Sequence, residues 1–524
     1  MEHDNPPDRL QLSEQTVKLD PQDDVVVAKR DLSQGTVLIG TDAGEARELS
    51  LEVLVPSGHK LALRAISAGE PVHRYGQVIG FAKQDIQPGA HVHKHNLGMG
   101  NLTLDYAFGA DARPVELVPE SNRRTFYGYR RANGQVGTRN YIAVVSTVSC
   151  SAYAARAIAR YFTPERLAAY GNVDGVMAVT HLSGCSYVPD GPVYTLLQRS
   201  LAGMVRHANV AASVIVGLGC EVNQLDALIE NYDLAVGTGK PLHAMVIQEM
   251  GGGRKTVQAG IETIEALLPQ VNAVERRPQP ISELMIALQC GGSDGWSGVT
   301  ANPLVGMVSD EVVRQGGTVV LAETPEIYGA EHLLTRRAIT RAVGEKVVDK
   351  VHWWEAHTHK HGAEIDNNPT PGNIAGGLTT IYEKALGAVT KAGSTSLMGV
   401  FDYAEPVTTR GFTFMDTPGN DPVSVTGQIA GGCNMVLFTT GRGSVVGFQP
   451  APSIKIASNS SMYQRLQDDM DFDAGRVLAD GDIQALTSEL LDVVVAVASG
   501  RPSKSEEWGS GEEVFSPWQL GELV

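Results

Sequence analysis

Apolar residues along the chain fall into three regimes. Up to residue 97 they come as short runs, at 25–28, 36–39, 60–65 and 77–81. Turn signals separate them, such as Ser33-Gln34-Gly35, Ser67-Ala68-Gly69 and Gln87-Pro88-Gly89. No amphipathic helix is evident there, so the pattern predicts a small β module. From Tyr141 onward, buried-strand runs alternate with segments of helical spacing. Strands are predicted at 141–148, 173–180, 213–218, 244–249, 284–289 and 318–323, and helices at 152–162, 192–205, 224–230, 256–267 and 305–315. That alternation argues for a mainly parallel sheet. In the last third, strand-like runs at 394–403, 411–416, 435–440 and 453–457 stand between glycine turns, and Ile483–Ala498 predicts a terminal helix. No internal repeat of fixed period is present. The organisation expected is a disordered leader at 1–20, a β module at 21–97, a linker at 98–125, a central α/β domain at 126–390 and a C-terminal α/β domain at 391–524.

Composition narrows the class. With 524 residues, 43% of them hydrophobic and 19% charged, the chain can bury about three domain cores. Its 57 glycines exceed the usual share of roughly 7%, which points to many tight turns. The net charge of -17 argues against nonspecific nucleic-acid binding, which needs a basic face. It does not forbid an anionic substrate, because a local arginine, metal or helix N-terminus can reverse the field. The polar start MEHDNPPDRLQLSEQ lacks the layout of a secretory signal, and no apolar run approaches the roughly 18 residues of a membrane span. A cytoplasmic protein acting on a small molecule, with no nucleic-acid or membrane partner, is expected, and the pattern is compatible with a homo-oligomer. Five cysteines spread over a long chain suit reduced thiols or metal ligands better than a disulfide framework.

Four of those cysteines share a position. Cys150, Cys185, Cys220 and Cys290 each follow a predicted strand, with His181 and Glu221 close by. In an open α/β sheet, ligands bind beyond the carboxyl ends of the strands. Cysteines are often simply buried hydrophobes, but four at strand ends suggest thiolates converging on one rim. With His181 and Glu221 they would suit a soft or borderline metal such as iron or zinc. Cys290 also opens a glycine-rich turn containing Gly291, Gly292, Ser293 and Asp294, followed by Thr300 and Asn302. Glycines there let backbone N–H groups approach an anion, and the small polar side chains can hold hydroxyls. Further polar turns carry Arg139 and Asn140, Asn373, the segment 417–421, and Gly441, Arg442 and Gly443. The two arginines are candidate carboxylate clamps. His91, His93 and His95 alternate, so a strand would place them on one face, able to bind metal or reach a substrate. His357, His359 and His361 alternate too, in a stretch read as a solvated loop. His59 lies at a turn of the β module. No P-loop, nucleophile elbow or dinucleotide fingerprint occurs.

Several long and unusual segments carry a resemblance. They are Ser57-Gly-His-Lys60, Tyr75-Gly-Gln-Val-Ile-Gly80, Tyr129-Arg-Arg-Ala-Asn-Gly-Gln-Val-Gly-Thr-Arg-Asn140, Gly217-Leu-Gly-Cys-Glu221, Gln289-Cys-Gly-Gly-Ser-Asp294, Gly298-Val-Thr-Ala-Asn-Pro303, Asn368-Pro-Thr-Pro-Gly-Asn373 and Thr440-Gly-Arg-Gly443. Through them the chain resembles the altronate/galactarate dehydratase family from about residue 22 almost to its C-terminus. Glu323-Thr-Pro-Glu-Ile-Tyr-Gly-Ala-Glu331, His91-Val-His93 and Gly432-Cys-Asn-Met435 look like the altronate branch. One departure is Ser444-Val-Val-Gly447, where the family usually has Thr-Pro-Tyr-Gly.

The resemblance implies an N-terminal β-clip module of the SAF (antifreeze-like) kind ahead of a large catalytic region. It implies a divalent metal, iron or manganese, with an iron–sulfur cluster left open. It also implies loss of water from a sugar acid, giving a 2-keto-3-deoxy acid; for D-altronate that product is 2-dehydro-3-deoxy-D-gluconate. Galactarate and other sugar acids are the alternative substrates, and a non-catalytic sugar-acid binding protein is the alternative class. On this reading Cys150, His181, Cys185, Cys220, Glu221 and Cys290 hold the metal. His59, Asp294 and Arg442 are catalytic. Arg139, Asn140, Gly291, Gly292, Ser293, Thr300, Asn302, Asn373, Gly441 and Gly443 line the substrate pocket.

Overall fold

The computed structural model describes residues 8–42, 44–479, 481–512 and 514–520. Residues 1–7 of the expected leader lie outside the described residues. The remainder of that leader is ordered: Arg9–Gln11 and Thr16–Val17 are strands joined by the helical turn Leu12–Gln15. Arg9–Gln11 pairs in parallel with Val37–Asp42, and Leu12 is buried in the module's own core.

The β module contains one four-stranded and two three-stranded sheets. In the four-stranded sheet, Lys60–Ala62 pairs antiparallel with His91–Val92, Lys60 opposite Val92 and Leu61 opposite His91. Continued by one residue, that register sets His59 opposite His93. Alternation then puts His59, His91 and His93 on one face. Residues 99–119 are irregular, as the expected linker would be, but Thr125–Arg130 is a strand that pairs with Val136–Gly137 and Arg277–Pro280.

Two parallel sheets follow. The first comprises β1 (Tyr141–Ser146), β2 (Gly175–Val179), β3 (Val210–Gly217) and β4 (Leu242–Val246), in the order β2-β1-β3-β4. The second comprises β5 (Met285–Cys290), β6 (Thr318–Leu321), β7 (Leu397–Phe401), β8 (Gly411–Met415), β9 (Met435–Thr440), β10 (Ser453–Ala457) and β11 (Phe472–Asp473). Its order is β7-β8-β6-β5-β9-β10-β11. The chain leaves central β5 towards β6 and later crosses to β9, so the strand order reverses between β5 and β9. A ligand crevice belongs at their carboxyl ends. This sheet takes strands from both sides of residue 390, where a domain boundary was expected. Apolar runs of equal quality carry no mark of which sheet they join.

The helices that matter for the site are α1 (Ser149–Tyr161), α2 (Pro192–Arg206), α3 (Ala301–Arg314), α4 (Arg341–Lys360), α5 (Ile381–Val389), α6 (Asp421–Ala430) and α7 (Ile483–Ala498). Helix α3 buries Ala301, Leu304, Val305, Val308 and Val312 at helical spacing. They join one continuous core with Val25, Ala62, Val72, Ile79 and Val92 of the β module. A second core links the two parallel sheets, joining Ala143 and Val145 of β1 to Ala287 of β5 and to Val436 and Phe438 of β9. Three of these helices have no counterpart in the sequence reading. His357 and His359 lie in the last turn of α4 and His361 caps it, so they are not in a loop. The pattern there is carried by Val347, Val348, Val351 and Trp354, the buried side chains of an otherwise polar helix. No helix among the described residues is long and apolar enough to cross a membrane.

Candidate active site

The carboxyl end of β5 leads into the turn 290–297, which crosses to β9. Gly291 N donates to Thr439 O at 3.1 Å, and Gly441 N and Arg442 N both donate to Gly292 O, at 3.0 and 2.8 Å. Gly292 takes φ of 64°, a left-handed conformation that favours glycine. Asp294 organises the turn. Its Oδ1 accepts from Trp296 N, Ser297 N, Ser297 Oγ and Ser458 Oγ at 2.8–3.1 Å, and its Oδ2 accepts from Asn459 Nδ2 at 3.0 Å. Burial still holds its carboxyl above the usual value despite those donors. Arg442 stands over Gly292 with its side chain exposed and with no hydrogen bond or ion pair among the described residues.

The β module closes on this turn. Gly58 (φ 80°) lies against Trp296, where a Cβ would sit 3.1 Å from the indole nitrogen. The lock is a buried triad. Lys60 Nζ pairs with the Glu383 carboxylate at 2.8 Å, Arg74 Nη1 donates to the same group, and Arg74 Nη2 reaches Gly295 O at 2.9 Å. Burial opposes the charge on Glu383, but the Lys60 and Arg74 cations outweigh it and hold the carboxyl down to about 2. Thr380 positions Glu383 by capping α5, accepting from Glu383 N at 3.2 Å.

Two titratable clusters meet at this junction. In the first, His91 Nε2 lies 3.0 Å from His59 Nδ1, and His59 Nε2 lies 3.3 Å from the Ala375 carbonyl. The ring donors of His59, His91 and His93 all lie within 4.8 Å of one another, and His93 Nδ1 is buried with no hydrogen-bond partner. Burial, reinforced by the neighbouring cations and rings, pushes His91 down to about 3 and His93 down to about 4; His59 is lowered as well. Three neutral imidazoles with converging lone pairs suit a divalent cation.

The second cluster lies at the ends of β5 and β6. Cys290, Glu323 and Glu326 are buried with donor atoms within 4.8 Å of one another. Two ammonium groups stand against these donors. Lys391 Nζ is 2.6 Å from Cys290 Sγ, and Lys384 Nζ is 2.8 Å from Glu326 Oε1. The cluster thus pairs buried acids and a thiol with fixed positive charge, at donors close enough together to hold a metal ion. Burial and the two carboxylates push the Cys290 thiol up to about 12. Burial and Glu326 raise Glu323 well above a normal carboxyl, which favours its protonated form. Glu323 also has φ of 69°, rare for a side chain of its size, and is held by Thr417: Glu323 N donates to Thr417 Oγ1 at 2.9 Å. Burial alone would lower Lys384 and Lys391, but the acids and the cysteine beside them leave both raised.

One loop joins the clusters. Asn368 Nδ2 donates to Glu326 Oε1 at 2.8 Å, Asn373 Nδ2 to Ser293 O at 2.7 Å, and Gly376 O accepts from Gly295 N at 2.7 Å beside the His59–Ala375 contact.

The sequence-derived residues divide accordingly. His59, Gly291, Gly292, Ser293, Asp294, Asn373, Gly441, Arg442 and Gly443 gather around the 290–297 turn at the carboxyl ends of β5 and β9, and Cys290 opens that turn. Cys150, Cys185, Cys220, His181 and Glu221 do not join Cys290, because β1, β2 and β3 belong to the other sheet. Arg139 is no clamp here. Its guanidinium is taken up by Glu506 at 2.6 and 2.7 Å and by Val497 O at the end of α7. Asn140 likewise accepts from Arg131 and donates to Asn172 O. Thr300 and Asn302 are buried, bonded to Ser458 O and to Gly387 O and Thr439 Oγ1, so they brace the turn from behind.

The sequence reading assigned no role to Glu323, Glu326, Lys384 or Lys391, and named His91 and His93 only as part of an alternating set, with His95, able to bind metal or reach a substrate. The two acids follow a strand end as Cys290 does, so the rule applied to cysteines would have found them. Lys384 lies in α5 and Lys391 just past its end, and neither lysine carries a sequence signal that it is buried.

Known protein families match most of the chain. Residues 14–100 match the altronate/galactarate dehydratase SAF domain, 128–272 the D-galactarate dehydratase/altronate hydrolase second domain, and 281–523 the D-galactarate/altronate dehydratase C-terminal domain. Altronate dehydratase of Escherichia coli (strain K12) is 39% identical, over 94% of this chain and 97% of that protein. Altronate dehydratase of Bacillus subtilis (strain 168) is 36% identical, over 93% and 95%. Galactarate dehydratase (L-threo-forming) of Escherichia coli (strain K12) is 33% identical, over 91% and 93%. The chain therefore belongs to the altronate/galactarate dehydratase family of hydro-lyases.

Proposed function

We propose that this protein is a metal-dependent sugar-acid dehydratase whose substrate is D-altronate, converted to 2-dehydro-3-deoxy-D-gluconate. The observation that carries this reading is the single loop, 368–376, that touches both the histidine triad and the Cys290–Glu323–Glu326–Lys384–Lys391 cluster at the switch point of the larger sheet. His59, His91 and His93 would hold the divalent cation, which as a Lewis acid makes the C2 proton of a hydroxy acid easier to remove.

The chain's own groups supply the rest. Arg442, free at the crevice mouth, binds the substrate carboxylate with backbone N–H groups of the glycine turn. The Glu326 carboxylate takes the C2 proton. Lys384 and Lys391, fixed cations, stabilise the negative charge that develops. Glu323, whose protonated form burial favours, gives its proton to the departing C3 hydroxyl, so water leaves and an enol remains. The enol tautomerises to the 2-keto acid. Two carboxyl groups in contrasting environments thus divide the base and acid roles.

Replacing Arg442 with alanine is expected to raise KM roughly 10–100-fold, the worth of a charge-assisted bond, with a smaller change in kcat. Steady-state kinetics on altronate checks this. The reading as a whole is tested by incubating metal-stripped and iron- or manganese-loaded protein with altronate, galactarate, gluconate and sulfolactate, and measuring keto-acid formation. Metal-dependent turnover of altronate ahead of the others is expected, along with loss of metal retention in His93→Ala. Full turnover by the stripped protein would remove the metal role. Preference for galactarate would move the substrate, a change the Ser444–Gly447 turn beside Arg442 could cause.

A further inference from the structure

We propose that Cys150, Cys185 and Cys220 hold an iron–sulfur cluster at the carboxyl edge of the four-stranded sheet. This site is separate from the histidine triad, and it stands whether or not the dehydratase reading does.

The placement follows from register. Val145 of β1 is level with Val179 of β2, and Ser146 with Val216 of β3, so the three neighbouring strands end together. Each is followed within six residues by one of these cysteines. The loops are laced to one another. Ser149 N donates to Ser183 O at 3.0 Å, Val222 N to Cys185 O at 2.9 Å, and Asn223 Nδ2 to Thr147 O at 2.9 Å. Glu221, expected as a ligand, is instead the brace: its carboxylate accepts from Thr147 Oγ1, Leu218 N and Gly219 N.

All three thiols are free and exposed, whereas Cys290 and Cys433 are buried. Cysteine is among the most buried residue types, so three exposed on one rim call for a reason. Cys150 lies in the first turn of α1. Thiolates select zinc, copper(I) or iron–sulfur centres. A single zinc ion, with Zn–S of about 2.3 Å, needs its sulfurs within about 4 Å of one another. Among the described residues these three do not form a group within 4.8 Å. A cluster spreads its thiolates over several iron atoms and tolerates the wider spacing.

A second feature points the same way. His181, at the end of β2, is buried beside the rim. Its Nδ1 accepts from Ser183 N at 3.2 Å, and the ring also faces the Ser146 and Thr147 backbone, which ties it to the loop that carries Cys150. His181 also lines a 640 Å³ cavity with Arg156, whose cation suits the negative charge of a thiolate-bound cluster. Three thiolates leave one iron open to an oxygen ligand such as water or a hydroxycarboxylate.

The test is protein overproduced with iron, purified without oxygen, and analysed for iron, acid-labile sulfide and visible absorption. Expected are acid-labile sulfide, iron in at least equal amount, and a broad visible band that dithionite bleaches. Sulfide and the visible band should be lost in Cys185→Ser and in Cys220→Ser and kept in His91→Ala, which loses only iron held by the histidine triad. Circular dichroism checks the fold, which exposed thiols should not disturb; if one serine variant does not fold, Cys150→Ser takes its place. Iron without sulfide, zinc in place of iron, or sulfide untouched by the substitutions overturns the proposal. Undiminished dehydratase activity in His91→Ala would instead count against the histidine metal site and leave the cluster standing.

Discussion

Glu383→Ala is expected to destabilise the protein by about 3–5 kcal/mol, the usual cost of breaking a buried ion pair from one side. Lys60 and Arg74 are both essentially inaccessible to water and would be left as uncompensated cations. Thr379 would lose its acceptor as well, since its N–H and hydroxyl both donate to Glu383 Oε2. The damage should not stay local, because this triad docks the β module onto the turn at Gly295. Denaturant unfolding, with activity read in parallel, checks both effects. A midpoint within experimental error of the parent would show that the triad does not hold the module in place. The sign of the pH dependence is fixed too. Glu383 titrates at about 2 when folded, below its ordinary value of 4.5, so its stabilising charge is fully present above 4.5. It is lost as pH falls from there towards 2. Glu383→Gln should therefore unfold with a shallower acid limb over that window.

How far the sequence led depends on which physical signal each element carries. Strand runs such as 141–148 and 435–440 were legible because both faces are buried, leaving unbroken apolar stretches. The glycine turn after Cys290 was legible for the same reason the crevice exists: small residues at a strand end let backbones approach. Partition into sheets was not legible, since hydrogen bonding between β5 and β9 spans about 150 residues of chain and leaves no local trace. Helices α5 and α6 were missed because they bury polar residues, Glu383, Lys384 and Gln428 among them, where binary patterning expects solvent. The same blindness hid the proton-handling cluster. A lysine that is 6% exposed and one at the surface are the same letter, and only the surrounding acids distinguish them. The cysteines show the opposite error. Their shared position at strand ends was a sound signal, but two sheets each have a carboxyl edge, and merging them placed Cys290 with thiols it does not meet.

The second large effect expected is on Lys384. Its ammonium donates to Glu326 Oε1 at 2.8 Å and to Asn368 Oδ1 at 3.0 Å, so it touches both the proposed base and the loop that reaches the histidines. Lys384→Met should lower kcat by about 10²–10⁴-fold, the range for losing a positioned charge or proton-transfer group, with a smaller change in KM. It should also destabilise the fold, because Glu326 remains buried without its cation. These two consequences can be separated. In the double variant Lys384→Met with Glu326→Gln no buried charge is left unpaired, so much of the stability should return, as double-mutant logic requires for contacting residues. Activity should not return, because both the cation and the carboxylate that accepts the C2 proton are then gone. Recovery of stability and turnover together would mean that the pair only holds α5 against β6, and the proton-transfer role given to this cluster would fall with it.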